Sequence, residues 1–304
     1  MEKKNILIAG GSGLLGQVVS TFLESKGYLV RILTRQIKSS VRNEQFVWAP
    51  NADYIDPMAF ENVFGVIQLS GESIAGKRWN KEYKEKIYNS RVGTTKFLVK
   101  TINQLETKPI VFISTSAIGI YGDRPGEVLN EKSLTHQADF LANLCHDWEL
   151  EAQLAHSSIR TSIVRIGLVL SKYEGILAKS ILAARMGLVP VFGNGQQMYS
   201  WIHEQDLARI VHTLLENKNA TGITNGVSPN PVSQKEFSYT LAKHFHPWHI
   251  PVPAPRFMLK VALGEFADSL FLSQNIVPAH LQSLGFNFEF PQLKNALESL
   301  IKKV

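Results

Sequence analysis

Near its start the chain runs from a short apolar segment, Asn5-Ile6-Leu7-Ile8-Ala9, straight into Gly10-Gly11-Ser12-Gly13-Leu14-Leu15-Gly16. An amphipathic stretch from Leu14 to Ser25 follows, and then a second apolar run, Leu29 to Leu33. That order reads as strand, tight turn, helix, strand. The glycines stand at positions 10, 13 and 16, and each has a physical reason. Gly10 permits the tight turn. Gly13 leaves no β-carbon between the backbone N–H groups and an approaching pyrophosphate. Gly16 lets the helix pack closely. The loop aims the positive end of a helix dipole at whatever anion lies there.

The pattern continues along the first half. Val63 to Leu69, Ile110 to Ser114 and Thr161 to Leu170 read as strands. Lys81 to Asn103 reads as one long helix, and Ala138 to Ala155 as another, with Phe140, Leu141, Leu144, Cys145, Trp148 and Leu154 on one side. The strands are apolar rather than alternating, so both faces of the sheet are expected to be covered. The expected fold is α/β: a Rossmann-type doubly wound parallel sheet, residues 1–174, with a smaller C-terminal substrate-side lobe, residues 175–304. The texture changes near Gly175, and eleven of the 13 prolines follow residue 100. The run HPWHIPVPAP, His246 to Pro255, cannot be a regular helix. A C-terminal domain is expected from about 250, and a strand near 222–225 is a candidate to complete the sheet.

Composition narrows the function. Hydrophobic residues are 44% and charged residues 19% of the 304, values of an ordinary packed protein. The single cysteine, Cys145, excludes an intrachain disulfide and a cysteine-rich metal site. No apolar segment reaches membrane-spanning length, so a soluble cytoplasmic chain is expected. The net charge is +6, and the densest basic run, Lys77 to Lys86, interleaves Glu82 and Glu85 with its lysines. That spacing reads as a solvated helix face, not a nucleic-acid surface. His244, His246 and His249 cluster without a nearby cysteine or carboxylate, so no metal is expected. The expected partner is a small-molecule substrate, with a homodimer as the candidate self-assembly and neither nucleic acid nor membrane involved.

The end of the second strand bears on cofactor choice. NAD-specific sites place an Asp or Glu there for the ribose 2′-hydroxyl. Leu29 to Lys38 holds no acid; Thr34 and Arg35 stand at the strand's end, with Lys38 and Arg42 beyond. An arginine in that place suits a 2′-phosphate, so the expected cofactor is NADP(H).

Several segments together resemble the short-chain dehydrogenase/reductase superfamily in its extended, epimerase-like branch, and within it the atypical epimerase family proteins with a short C-terminal domain of unassigned role. They are GGSGLLG from Gly10, LSGESIAGKRW from Leu69, SRVGTT from Ser90, STSAIGIYG from Ser114, DFLANLCHDWE from Asp139, RIGLVLS from Arg165, GNGQQMYSWIHEQDLA from Gly193 and SPNPVS from Ser228, with PVPAPRF and LGFNFEFPQLKNAL near the end. The resemblance covers essentially the whole chain. It implies that Gly10, Ser12, Gly13, Leu14, Leu15, Gly16, Thr34 and Arg35 meet the cofactor. It further implies contacts from strand ends, at Leu69, Ser70, Gly71, Ser114, Thr115, Gly167 and Leu168. Trp201, His203 and Asp206 match a family motif that orders the cofactor–substrate junction.

Ordinary members transfer a proton with a tyrosine and a lysine four residues later, on one helix face. With Glu149 aligned on the acid that usually follows, those positions hold Leu141 and Cys145. Tyr239 and Lys243 repeat the spacing, but in the substrate-side lobe, and read as coincidence. Ser116 and Tyr121 are then the leading catalytic candidates, with Glu72 behind them. Two functions follow: an NADP(H)-dependent oxidoreductase or epimerase-like isomerase of an unspecified small molecule, or a cofactor-loaded regulatory or scaffold protein.

Overall fold

The computed structural model describes residues 3–137 and 139–301. Strands β1 (Asn5–Ala9), β2 (Leu29–Thr34), β3 (Glu44–Ala49), β4 (Tyr54–Ile55), β5 (Val63–Gln68) and β6 (Val111–Ala117) come first in the chain. They are followed by β7 (Val128–Leu129), β8 (Arg160–Ile166), β9 (Leu168–Leu170), β10 (Leu188–Phe192), β11 (Met198–Tyr199), β12 (Trp201–His203) and β13 (Gly222–Gly226). The last are β14 (Val232–Ser233), β15 (Ile250–Ala254) and β16 (Asn275–Ile276). Eight of them form the central sheet in the order β13-β8-β6-β5-β1-β2-β3-β4. Every pairing in it is parallel except the two-residue β4, which runs antiparallel to β3. The chain winds outward through β2 and β3 and returns on the other side of β1 with β5. The order therefore reverses between β1 and β5, where open sheets of this type bind ligands beyond their strands' carboxyl ends.

Helices cover both faces, as the apolar strands require. On one face lie α1 (Leu14–Ser25) and, later in the chain, α6 (Glu204–Glu216), sharing a core with Ile6, Ile8, Ile32 and Ile113. On the other face, α2 (Lys81–Tyr88) leads into α3 (Thr94–Gln104), which packs with α4 (Phe140–Gln153) around Leu7, Leu33, Val66 and Phe112. Ile6, Leu7 and Ile8 are fully buried. Each such side chain contributes about 1.5–3 kcal/mol through removal from water.

The lobe contains α5 (Gly175–Arg185), α7 (Gln234–Phe245), α8 (Arg256–Leu263), α9 (Phe266–Ser269), α10 (Ala279–Ser283) and α11 (Leu293–Leu300). Its own core joins Leu177, Tyr199, Trp201, Phe237, Leu241 and Leu297. The chain is not cut cleanly at 174. α6 returns to the sheet's face, and β13, the strand anticipated near 222–225, pairs with β8. The β16–β7 pair also ties the C-terminal segment to the loop after β6.

Four elements depart from the sequence expectation. The helix expected over Lys81 to Asn103 is interrupted by a π-helical turn, Asn89–Gly93. There Thr94 Oγ1 donates toward the carbonyls of Ser90 (2.8 Å) and Arg91 (3.1 Å), and Ser90 Oγ toward that of Ile87 (2.8 Å). The strand expected over Thr161 to Leu170 breaks at Gly167. A β-carbon there would lie 2.4 Å from the Ser200 carbonyl oxygen, and β9 leaves the sheet to pair with β12. β3 had no counterpart in the sequence reading, because only Phe46 and Trp48 of Glu44–Ala49 are buried and its apolar run is short. The proline-rich run forms β15, which pairs with β10 despite Pro251 and Pro253. The helix start expected at Ala138 lies outside the described residues; α4 is capped by Asp139, which accepts from the Ala142 N–H at 2.9 Å.

Candidate cofactor cleft and reacting end

The glycine loop sits at the reversal point of the sheet. Gly10 has φ +83°, and a β-carbon there would come within 2.6 Å of the Ser70 backbone nitrogen. The turn after β1 therefore touches the turn after β5, and only glycine fits between them. Gly16 differs from expectation in detail: its missing side chain makes room for the loop's own backbone, the Gly10 carbonyl oxygen at 2.3 Å and the Gly11 Cα at 2.5 Å. Gly13 would place a β-carbon near nothing but the Gly10 oxygen, at 3.4 Å, so its outward side is open. Gly13 is the N-cap of α1, no side chain caps this end, and the first turn contains no acid. Ser12 is exposed, while Leu14 and Leu15 are half-buried. The uncapped, acid-free helix start is chemically an anion site.

Thr34 is buried, and its hydroxyl donates to the Gln36 carbonyl at 2.8 Å, shaping the turn that presents Arg35. Arg35, Lys38 and Arg42 are all exposed. None of the three makes an ion pair among the described residues. Arg35, unpaired at the carboxyl end of β2 next to β1, fits a dinucleotide carrying a 2′-phosphate better than one carrying a free hydroxyl, whereas Arg42 adjoins Asn43, which bonds Glu24 at the far end of α1.

The other strand ends meet the cleft mostly through backbone. Leu69 and Ser70 are half-buried and Gly71 is exposed. The Ser70 hydroxyl is engaged with Gln68 Oε1 (2.8 Å). Ser114 and Thr115 are buried, their hydroxyls turned to the Thr115 carbonyl (3.3 Å) and the Gln68 carbonyl (2.9 Å). The N–H groups of Gly167 and Leu168 donate to Gly226 (3.2 Å) and Ser200 (2.9 Å). Of the expected contacts, the first segment thus offers free donors, and the later ones offer shape.

At the reacting end, Leu141 and Cys145 do face the loop after β6: a β-carbon on Gly119 would lie 3.4 Å from the Leu141 Cβ and 3.8 Å from Cys145 Sγ. Cys145 is buried, and burial, with Glu149 nearby, pushes its thiol up to about 12. It is a neutral thiol at physiological pH, not a nucleophile.

The two leading catalytic candidates, Ser116 and Tyr121, both have their hydroxyls engaged by protein groups. Ser116 is buried and donates to Glu149 Oε1 at 2.8 Å. Tyr121 is fully buried. Its hydroxyl accepts from Arg165 Nη1 at 2.9 Å and lies 2.9 Å from Asn225 Oδ1 and 3.1 Å from the Asn130 carbonyl. Burial raises the Tyr121 pKa, outweighing the lowering by Arg165 and Asn225. Arg165 closes the network by gripping Glu149 side-on, Nε to Oε1 and Nη2 to Oε2, each at 2.8 Å. Sequence reasoning used Glu149 only as an alignment marker and Arg165 only as a motif residue. An arginine inside the apolar run Ile163-Val164-Arg165-Ile166 was the available signal, since buried charges come in pairs.

Glu72 is half-buried, with Oε2 3.4 Å from Lys86 Nζ. Tyr239 and Lys243 lie on α7 in the lobe, where Tyr239 meets the His249 ring edge-on. Asp206 is fully buried and accepts from the N–H groups of Glu289 (2.9 Å) and Phe290 (2.8 Å), while the stacked His203 and Phe290 rings lie 3.9 Å apart. Those two residues of the expected junction motif tie the C-terminal segment down. Two surface hollows, one by Phe22, His212 and Phe286 and one by His156, Arg160 and His280, contain none of the expected site residues.

A parallel sheet with a glycine-cradled anion site at its reversal point defines a dinucleotide-binding α/β protein. The chain belongs to the NAD dependent epimerase/dehydratase family, whose description matches residues 6–225, and a domain of unknown function (DUF1731) matches residues 254–300. It is 34% identical over 299 residues to the Epimerase family protein YfhF of Bacillus subtilis, covering 98% of each chain. It is 33% identical over 311 residues to the chloroplastic Epimerase family protein SDR39U1 homolog of Arabidopsis thaliana, covering 99% of this chain and 88% of that one. Among solved structures, human epimerase family protein SDR39U1 with NADPH superposes with a TM-score of 0.90 at 28% identity, over 97% of this chain and 98% of that one.

Proposed function

We propose that the chain is an NADP(H)-binding oxidoreductase or epimerase-like isomerase of a small molecule. The observation that carries this is the open, uncapped start of α1 together with the unpaired Arg35 at the carboxyl end of the neighbouring strand β2. Human SDR39U1, solved with NADPH, supports the same cofactor. Gly10 to Gly16 would hold the pyrophosphate, and Arg35 the 2′-phosphate. Leu69 to Gly71 and Gly167–Leu168 would flank the rest of the cofactor. A bound nicotinamide supplies hydride transfer. The chain's own task is to orient the substrate and exclude water, because Leu141 and Cys145 cannot pass a proton and Ser116 and Tyr121 are held within the protein.

Calorimetry with NADPH and NADH tests the reading. NADPH should bind more tightly, and Arg35→Ala should remove most of the difference, on the order of 1.5–3 kcal/mol for a charge-assisted contact. Equal wild-type affinities would refute it. The engaged hydroxyls of Ser116 and Tyr121 favour a second reading, a cofactor-loaded scaffold. Tight NADPH binding without turnover of any carbonyl, alcohol or sugar in a broad panel would select it.

A further inference from the structure

Arg91 stands in the middle of the π-turn Asn89–Gly93 that interrupts the long helix. Single π-turns inside helices concentrate at functional sites because they re-aim one side chain. Here the guanidinium is carried to the end of β5, against Gly71: a β-carbon on Gly71 would lie 3.0 Å from Cζ and 3.1 Å from Nη2. The other side of the group rests over the Trp148 ring, with Cζ 5.6 Å from its centroid. The ring is itself fixed, its Nε1 donating to Thr95 Oγ1 at 2.9 Å.

Arg91 spends little of its hydrogen-bonding capacity on the protein. Nη1 makes two long contacts, 3.3 Å each, to the Ile87 carbonyl and Ser90 Oγ. Nε and Nη2 donate to nothing among the described residues, and neither is sealed from solvent. No carboxylate pairs with it: Glu72, the nearest acid to influence it, pairs with Lys86 instead. Cys145 is too high in pKa to serve as a thiolate partner. Arg165 shows what the Nε–Nη2 edge takes in this same molecule, since that edge grips both oxygens of Glu149. The matching edge of Arg91 is open.

We infer that Arg91 is the cation of the substrate site and receives a planar carboxylate, side-on, at the end of β5. This rests on the cofactor-dependent reading above, because Gly71 stands at the end of β5, a strand end expected to line the cofactor. A monocarboxylate fits better than a phosphate dianion: one cation, the apolar Trp148 ring and the nearby Glu72 do not balance two negative charges. Arg91 would fix the substrate's anionic end and leave its reacting carbon to the cofactor.

The probe is oxamate, a planar monocarboxylate that a hydride donor does not reduce, titrated calorimetrically into the full chain with and without NADP⁺. One site per chain is expected. Arg91→Met should weaken oxamate at least tenfold and change NADPH affinity less than threefold. Arg91→Lys should fall between. Gly71→Ala, which keeps the arginine but crowds its guanidinium, should also weaken oxamate, and it covers the case in which Arg91→Met does not fold. Wild type without oxamate binding, or Arg91→Met binding as tightly as wild type, would overturn the inference. So would inorganic phosphate binding more tightly than oxamate, or a loss in Arg91→Met confined to NADPH. Failure of wild type to bind NADPH would instead defeat the functional reading, and the cofactor-free titration would still decide the arginine's role.

Discussion

At the end of β1, residues Gly10 to Gly16 bring backbone donors and an open face toward solvent, with Arg35 at the end of the adjacent β2 and no ion pair to it among the described residues. Two strands across, at the end of β6, Ser116, Tyr121, Glu149, Arg165 and Asn225 bond one another in a buried cluster. The first region is incomplete as it stands, and its unpaired groups describe a ligand. The second is complete, and its groups describe only each other. The same contrast separates two arginines: Arg165, with both carboxylate oxygens in hand, is architecture, whereas Arg91, at the end of β5 between the two regions, has the same edge open and is a receptor.

If that contrast holds, substitutions in the cluster should cost stability, and those at the loop should cost ligand. The largest effect is expected for Glu149→Gln, which leaves the Arg165 charge buried without its counter-ion. A loss of about 3–5 kcal/mol should be read as a lower urea midpoint. An unchanged midpoint would mean that water or another acid reaches Arg165.

Next comes acid sensitivity at His203. Burial, opposed by Asp206, holds its imidazole down at about 4, against an ordinary value of 6.5. Nδ1 accepts the Gln205 N–H at 3.0 Å, so a proton there would break the start of α6. The folded-state pKa is the lower one, so this contribution is complete above about pH 6.5, is lost as pH falls toward 4, and is constant below. On the order of 3 kcal/mol is at stake across that window. His203→Asn, which keeps a capping oxygen, should flatten the thermal midpoint over the same range. A parallel decline in wild type and variant would place the acid sensitivity elsewhere.

Tyr121→Phe removes one hydroxyl from Arg165, Asn225 and Asn130, and about 1–3 kcal/mol should be lost in denaturant unfolding. NADPH affinity should be unchanged; a tenfold loss would return Tyr121 to the ligand side of the comparison. The smallest stability effect belongs to Gly13→Ala, below about 1 kcal/mol, since φ −78° suits alanine and the space is open. The same change should reduce NADPH affinity at least tenfold, because the methyl would stand where the pyrophosphate approaches.

The two regions were also unequally legible. Gly10, Gly13, Gly16 and the acid-free end of β2 are local facts, complete within 35 residues, and the chain order alone implies their geometry. The departures had nonlocal causes. The π-turn needs Thr94 and Ser90 to satisfy freed carbonyls, and the break at Gly167 needs the Ser200 carbonyl, 33 positions on. Tyr121 looked available because it follows β6 closely; what removes it is Asn225, 104 residues away. Arg91 lies within the segment SRVGTT, and nothing in a linear sequence says that an arginine lacks a partner.

That separation of 104 residues also orders events during synthesis. The glycine loop and its contact at Ser70 can assemble from the first quarter of the chain as it leaves the ribosome. The pair Glu149–Arg165 emerges later, beneath a sheet still lacking β13, and Asn225 arrives 60 residues after Arg165. β7 waits longer, for Asn275 and Ile276. Closing such distant contacts is slow, because chain entropy is spent before they form. A nascent chain halted near residue 174 would therefore display a finished nucleotide cradle above a charged cluster with no roof. Exposed strand edges of that kind are what chaperones capture.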